Sequence, residues 1–157
     1  MSGQQYPIKL LIENQLVCLD QVSPWLEQAW LECDLPEALR FEMGLCLYEA
    51  VANVVMYAFD DLDGYMMASD AVAHVIEISL ILHNNAIEFT IQDDGRPFDP
   101  LTQEERPRAT TIAEAQLGGR GIPLMRGLSD KLEYRRSNSY NYLSIIKNIT
   151  APRGKKC

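Results

Sequence analysis

The residues of this chain that could do chemistry fall into three short motifs. Glu49 and Asn53 lie four positions apart in a long amphipathic stretch, so a helix would place a carboxylate and a carboxamide one turn apart on one face. The run from Asp93 to Gly95 ends an apolar segment with an acidic pair and a glycine, and the run from Gly118 to Gly121 precedes a further helix. Together, these residues indicate a site for a nucleoside triphosphate and its metal ion, with one carboxylate left for chemistry.

The first motif offers a base and a metal ligand. A carboxylate at the border of a helix can act as a general base when a substrate hydroxyl comes within hydrogen-bonding distance, which is the role open to Glu49. The amide oxygen of Asn53 can ligate Mg²⁺, an ion that takes few protein ligands and completes its shell with phosphate and water. The alternative is that Glu49 is an ordinary residue of the helix surface and that Asn53 has its hydrogen bonds satisfied without a ligand. The spacing alone favours that alternative, because it also arises by accident.

The second motif could recognise a nucleobase. A carboxylate at the end of a strand, here Asp93, can accept a hydrogen bond from the exocyclic amine of adenine, and this discriminates against guanine. Gly95 has no side chain, so the backbone can approach the base closely. The alternative is a plain Asp-Gly turn, which is common.

The third motif offers an anion site. Glycines before a helix let backbone amides converge on a phosphate at the helix N-terminus, where the helix dipole also favours negative charge. Gly119 and Gly121 suit that role, and Arg120 can neutralise phosphate charge. No Gly-Lys-Ser/Thr follows, so the P-loop pattern is excluded. The alternative is a flexible hinge with a solvated Arg120.

Two helices must position the first motif. A first helix is predicted to begin with Ser23 as the N-cap and Pro24 at the first helical position. A longer helix is predicted from Pro36-Glu37 to about Phe59. Its buried stripe is expected to consist of Phe41, Leu45, Tyr48, Ala52, Val55 and Phe59. Glu49 and Asn53 lie at the border of that stripe, where they can point into a cleft.

The remaining pattern predicts the fold class. Strands are expected over residues 7–13, 72–82, 86–92, 131–136 and 140–147, with a short helix over 121–129. Residues 98–117 show little periodicity and are expected to form either a functional lid or a disordered segment. Because strands and helices are segregated along the chain, we expect an α+β fold. It is a two-layer sandwich of an antiparallel-rich mixed sheet with helices on one face. Residues 1–150 are expected to form a single domain, and 151–157 a tail.

Composition excludes several classes of function. The chain has 157 residues and a formal net charge of −8 at pH 7, so binding to nucleic acid is not expected. Neither a secretory segment nor an apolar run of membrane length is visible, which favours a cytoplasmic protein without a membrane partner. The isolated His74 and His83 give no zinc pattern. Three cysteines in apolar surroundings are expected to be core residues: Cys18, Cys33 and Cys46.

These motifs, in this order, resemble those of the anti-sigma-factor serine/threonine kinase family, a branch of the GHKL or histidine-kinase-like ATPases. Residues 45–59 look like the N box of that family, residues 93–100 like its adenine-binding box, and residues 118–125 like its second glycine box. Residues 130–136 and 142–147 look like its closing strands. The resemblance covers about residues 8–147, and the ordered set is specific although each box alone is weak.

The resemblance implies the GHKL (Bergerat) ATP-binding fold and the cofactors ATP and Mg²⁺. It makes Glu49 the general base and Asn53 the ligand of Mg²⁺. It places the following residues at the adenine or the phosphates: Asp93, Gly95, Gly119, Arg120, Gly121 and Ser144. Tyr57 departs from the family pattern, because a basic residue is frequent one turn after the Asn, and this bears on phosphate handling.

The resemblance also implies partners. A small STAS-like anti-sigma antagonist would dock at the lid and lose a serine or threonine hydroxyl proton to the base. The kinase would also hold a sigma factor or another regulatory target, as a homodimer, in a partner-switching circuit. The alternative is an ATP-binding sequestration module that binds its partner without phosphorylating it.

Overall fold

The computed structural model describes residues 7–58, 74–102 and 121–149. Five strands form one sheet in the order β1-β2-β3-β5-β4. Their bounds are β1 Ile8–Glu13, β2 Val75–Leu82, β3 Ala86–Asp93, β4 Lys131–Ser137 and β5 Tyr140–Asn148. The helices are α1 Val22–Leu31, α2 Glu37–Tyr57 and α3 Gly121–Leu128, and a 3₁₀ helix over Leu16–Gln21 precedes α1.

The helices form a second layer on one face of the sheet, and β3 shows why. Ile87, Phe89 and Ile91 alternate with more polar residues and are almost completely buried, because successive strand residues point to opposite faces. Their core continues into α1 and α2, where the ring of Trp30 meets that of Phe89 edge to face at 5.9 Å. The predicted α+β fold with helices on one face is therefore confirmed. All four described strand pairings are antiparallel.

Both predicted hairpins are present. His83 N donates to Ala86 O at 2.7 Å and closes the turn between β2 and β3. Between β4 and β5, Asn138 and Ser139 have φ values of 50° and 68°. Two consecutive residues in the left-handed region match the twist of a tight antiparallel hairpin. These turns set the register of β2 against β3 and of β4 against β5. The pairing of β3 with β5 then joins the two hairpins.

The structure corrects the predicted start of α1. The helix begins at Val22, with Gln21 as its N-cap residue and no side-chain cap, so Ser23 is not the cap. The reason is the preceding 3₁₀ helix, which runs directly into α1. Pro24 becomes the third helical residue, where its missing N–H costs no bond because the first turn has no intrahelical acceptor.

The structure also corrects the predicted buried stripe of α2. Phe41 is 67% exposed and Tyr48 is 48% exposed, whereas Met43, Leu47 and Val51 are fully buried. Apolar residues surround this helix on nearly all sides, so helical periodicity alone could not select the face that meets the sheet. Glu49 and Asn53 still lie at the border between the two faces of the helix. However, the face of Phe41 and Tyr48 is exposed, and the face of Met43, Leu47 and Val51 is buried. Phe59 lies outside the described residues.

Other predictions have mixed outcomes. Cys18, Cys33 and Cys46 are buried, as expected for core residues. Residues 151–157 lie outside the described ranges, so the division into one domain and a tail stays a prediction. None of the helices in the described ranges combines the length and apolar composition that a membrane crossing requires.

The core assignment can be tested with a pair of phenylalanines. Phe89→Ala should lower the free energy of unfolding by about 3–5 kcal/mol, because it empties a buried site against Trp30. Phe41→Ala is the matched control and should change it by less than about 0.5 kcal/mol, because the side chain is mostly in water. Urea unfolding followed by circular dichroism measures both. A larger effect for Phe41 than for Phe89 would restore the stripe predicted from sequence.

Candidate functional site

The first and third motifs meet where α3 begins. A Cβ added to Gly121 would lie 2.9 Å from Glu49 Oε2 and 3.2 Å from Asn53 Nδ2. Any larger residue would push these two side chains aside, because real Cβ atoms do not approach other atoms so closely. The glycine therefore lets the N-terminus of α3 approach both polar residues of α2.

The second motif meets the C-terminal end of α2. Arg96 N donates to Ala58 O at 3.1 Å, so the turn after β3 is bonded to the residue that follows the helix. A Cβ on Gly95 would lie 2.6 Å from Ala58 Cβ and 2.9 Å from Ala58 O. Gly95 is required here because the backbone of the turn packs directly on the helix end.

Asp93 is the buried carboxylate of the site, with 6% of its surface exposed. Its Oδ1 accepts hydrogen bonds from Gly95 N at 2.9 Å and from Asn141 Nδ2 at 3.0 Å. Within the described residues, Oδ2 receives none. Burial raises the pKa of the Asp93 carboxyl, and the charge of Asp94 adds to this, whereas the two hydrogen bonds and Arg136 oppose it. Asp93 thus keeps one oxygen available as an acceptor.

The neighbouring acid has a different partner. Asp94 Oδ2 lies 2.8 Å from His74 Nδ1, and both side chains are partly exposed. The acidic pair is therefore divided, with Asp93 facing the helix layer and Asp94 bonded to the residue before β2. Only Asp93 can serve the site beneath α2.

A cavity lies between the first and second motifs. Asn53 and Asp93 both line it, together with Tyr57, Arg96 and Asn141. Its volume is about 40 Å³, close to the share of one water molecule in the liquid, about 30 Å³. A purine would enter only if side chains at its edge, such as Arg96 on the turn, moved apart.

The structure brings five of the eight predicted site residues together: Glu49, Asn53, Asp93, Gly95 and Gly121. Gly119 and Arg120 lie outside the described residues, so their roles stay predictions. The described part gathers no set of three His, Cys, Asp or Glu side chains that could hold a metal. A divalent ion here would rely on Asn53 and on oxygens of the ligand itself.

The structure does not bring Ser144 to the site, which corrects that prediction. Ser144 pairs with Thr90 across β3 and β5, and the two hydroxyl oxygens are 3.2 Å apart. Asn141, not Ser144, faces Asp93. The physical reason is strand alternation, since residues three positions apart in a strand point to opposite faces.

Sequence reasoning missed Asn141, Tyr134 and Arg136. Tyr134 Oη and Arg136 Nη1 donate to Asn141 Oδ1 at 2.7 and 2.8 Å, and Asn141 in turn contacts Asp93. The signal that could have found them is the register of β5 against β3, which pairs Asp93 with Asn141. That register joins residues 48 positions apart and cannot be derived from local patterns.

Residues 13–147 match the model of the histidine kinase-like ATPase domain family. The chain belongs to this family. It is 32% identical over 124 residues to the serine/threonine-protein kinase BtrW of Bordetella bronchiseptica, and the alignment covers 79% of this chain and 81% of that protein. It is 22% identical over 110 residues to an anti-sigma F factor of Heyndrickxia coagulans, which covers 69% of each chain. The resemblance to anti-sigma-factor kinases is thereby confirmed.

A solved structure supports the fold of this histidine kinase-like ATPase domain. The crystal structure of the RsbU and RsbW domains of a Mycobacterium tuberculosis protein superposes with a TM-score of 0.60 at 13% identity. The superposition covers 94% of this chain and 33% of that one. At this identity the likeness shows the fold alone.

The buried carboxylate of this ATPase domain should reduce stability at neutral pH. Because the folded state raises the pKa of Asp93, the folded protein holds this proton more tightly than the unfolded chain, and the associated stability is lost as pH rises through the folded pKa. Asp93→Asn removes the charge and keeps the shape. We expect the variant to unfold at higher urea than the wild type at neutral pH.

The pH dependence provides the control for this prediction. The difference should shrink as pH falls below the ordinary aspartate pKa of 3.8, where Asp93 becomes protonated in both states. Urea titrations at both pH values measure it. A variant less stable than the wild type at neutral pH would mean that the hydrogen bonds to the carboxylate outweigh its burial.

Proposed function

We propose that the chain is an ATP-dependent serine/threonine kinase and anti-sigma-type regulator that phosphorylates a small STAS-like antagonist protein. The observation that carries the proposal is the convergence of the three motifs: Gly121 lies against Glu49 and Asn53, and Asn53 shares a cavity with Asp93. One bound nucleotide would then meet four groups: a general base, a metal ligand, a carboxylate that recognises the nucleobase, and a helix N-terminus.

Asp93 would recognise adenine. Its uncommitted Oδ2 is a hydrogen-bond acceptor, which suits the exocyclic amine of adenine and opposes the carbonyl at the same position of guanine. A buried site that matches one pattern rejects the other, because the mismatch leaves polar groups unpaired. The chemistry of the donor and acceptor set therefore fits ATP, and the 40 Å³ cavity would widen at Arg96 and Phe98 to admit the base.

Asn53 and the start of α3 would hold the phosphate end. Asn53 would contribute its amide oxygen to Mg²⁺, and the N-terminus of α3 would face the phosphates through its backbone amides. Gly119 and Arg120 are part of this proposal. Bound ATP supplies the phosphoryl group, and Mg²⁺ neutralises part of its charge.

Glu49 would act as the general base. A serine or threonine hydroxyl of the antagonist would give its proton to the Glu49 carboxylate as its oxygen attacks. The other side chains of the site would contribute mainly positioning and charge stabilisation, as is usual in phosphoryl transfer.

Partners and location extend the proposal. One relative is named an anti-sigma F factor, which supports a sigma factor or a similar regulatory target for this chain, held by a homodimer in the cytoplasm. The second candidate function is sequestration without phosphorylation. One observation favours it: Tyr57, at the position where the family often has a basic residue, lines the cavity and supplies no positive charge for the phosphates.

The deciding experiment is phosphate transfer to a protein. The purified chain is incubated with γ-labelled ATP, Mg²⁺ and each STAS-like protein encoded in the same genome, and labelled products are analysed for phosphoserine and phosphothreonine. Transfer to one of them supports the kinase. Stable binding of one of them with ATP bound and no label transferred would select the sequestration function.

The base can be tested by Glu49→Gln, which keeps the shape and removes the proton acceptor. We expect phosphate transfer to fall by roughly 10²–10⁴-fold, the usual contribution of a positioned base. ATP affinity should stay nearly unchanged, because the carboxylate contacts the acceptor and not the nucleotide. Titration calorimetry and the labelled transfer assay measure the two effects. Parallel loss of both would contradict the role.

The glycine contact can be tested with two glycines of α3. Gly121→Ala should displace the Glu49 carboxylate and lower transfer by about tenfold or more, because small errors of position are costly in catalysis. Unfolding free energy should change little, since the displaced atoms are the ends of flexible side chains.

Gly127→Ala is the matched control, because a Cβ there meets nothing within 4 Å. It should leave transfer unchanged and stabilise the helix by about 0.5–1 kcal/mol. The transfer assay and urea unfolding are measured on both variants. Equal rates of phosphate transfer by the Gly121→Ala and Gly127→Ala variants would show that the approach of Gly121 to Glu49 has no functional role.

A further inference from the structure

We infer that Asn141 is a positioning residue for adenine specificity, and that Tyr134 and Arg136 fix its orientation. This inference rests on the proposed function, because it explains how Asp93 would be held ready for the exocyclic amine. Asn141 is 5% exposed and lies directly opposite Asp93 in the pairing of β3 with β5. Its position in the sheet therefore brings its side chain to the buried carboxylate.

The amide nitrogen of Asn141 connects Asp93 to the turn after β3. Asn141 Nδ2 donates to Asp93 Oδ1 at 3.0 Å and to Arg96 O at 2.9 Å, and it lies 3.5 Å from Gly95 O. One side chain thus holds both the carboxylate and the backbone of the turn that packs on α2. The carboxylate is not free to rotate, because Gly95 N also bonds the same oxygen.

The orientation of the amide follows from its neighbours. Asn141 Oδ1 accepts hydrogen bonds from Tyr134 Oη and Arg136 Nη1. A guanidinium group can only donate, so reversing the amide would place its NH₂ against Arg136 and its oxygen against Asp93. Arg136 Nη1 also donates to Gly95 O at 3.0 Å. Two donors from β4 therefore require Nδ2 of Asn141 to face Asp93.

The consequence concerns the other oxygen of Asp93. Because Oδ1 is occupied by two donors, Oδ2 is the oxygen left to accept a hydrogen bond, and Asp93 lines the cavity that it shares with Asn53. Without Asn141, the carboxylate could rotate, and its pKa would rise further because the hydrogen bond from Asn141 lowers it. A protonated carboxyl donates a hydrogen bond and would suit the carbonyl of guanine. Asn141 would thus maintain the preference for adenine without touching the nucleotide.

The test is Asn141→Leu, which has a similar size and cannot donate. Calorimetric titration with ATP and with GTP should show ATP affinity lowered by about tenfold, because Asp93 is no longer held in the orientation that accepts the exocyclic amine and part of a hydrogen bond to a charged group is lost. GTP affinity should not fall, so the ratio of the two affinities should drop by about tenfold. Ser144→Ala is the matched control on the same strand but on the opposite face of the sheet, and it should leave the ratio unchanged.

A pH profile separates positioning from general damage. ATP affinity should decline as pH falls through the pKa of Asp93, and the midpoint should lie at higher pH in Asn141→Leu, because the hydrogen bond from Asn141 lowers that pKa. Asp94 with its partner His74, Arg136, and the cavity residues Arg96, Tyr57 and Tyr134 are the same in both proteins, so the difference between the profiles isolates Asn141. A merely structural role would lower stability and leave the midpoint in place.

Tyr134→Phe gives a second test that preserves the fold. It removes one donor to Asn141 Oδ1 and should lower the ratio of ATP to GTP affinity by about two- to fivefold. If Asn141→Leu does not fold, this variant decides, and an unchanged ratio overturns the inference. A folded Asn141→Leu with the ratio and pH midpoint of the wild type overturns it as well. A wild-type protein that binds no ATP would instead contradict the proposed function.

Discussion

The site depends on the contact between the end of α2 and the turn after β3. Ala58 O accepts a hydrogen bond from Arg96 N, and Gly95 lies so close to Ala58 that a Cβ would approach within 2.6 Å. This contact fixes the helix layer over one end of the sheet. Asn53 on the helix and Asp93 at the strand end consequently face the same cavity. Without this contact, Asn53 and Asp93 would not be held at one cavity.

Holding Asp93 there carries an energetic cost that the rest of the domain offsets. Burial raises the pKa of this carboxyl, which means that its ionised form is less favourable in the folded protein than in water. The hydrogen bonds from Gly95 and Asn141 reduce the cost but leave Oδ2 without a hydrogen bond from the described part of the chain. The fully buried residues of β3 and α2, such as Phe89 and Leu47, supply the compensating stability. A local conflict of this kind is typical of a functional position, because stability alone would select an apolar residue.

The features that could be predicted correctly from the sequence depend on local patterns or on the order of short motifs along the chain. The hairpins over His83–Asn85 and Ser137–Ser139 follow from local turn chemistry, and the long helix from its starting proline. The buried face of α2 could not be derived, since apolar residues occur on both of its sides. Asn141 could not be found and Ser144 was misplaced for one common reason. The pairing of β5 with β3 joins distant residues, and an error of one position in such a register exchanges the two faces of a strand.

The two ends of the proposed site are built differently, and the difference would suit the proposed phosphoryl transfer between molecules. At the end proposed to bind adenine, Asp93 accepts hydrogen bonds from Gly95 N and Asn141 Nδ2, and Asn141 is held in turn by Tyr134 and Arg136 of β4. At the other end, Glu49 makes no hydrogen bond or ion pair with the described residues, although Gly121 lies against it. A recognition group benefits from fixed partners, because preorganisation lowers the entropy cost of binding. A base that must receive a proton from a second protein has the opposite requirement, since an internal partner would occupy the lone pair that the incoming hydroxyl needs. Under the proposed function, the fold therefore preorganises the adenine end, whereas no described residue occupies the Glu49 carboxylate at the end where the hydroxyl would react.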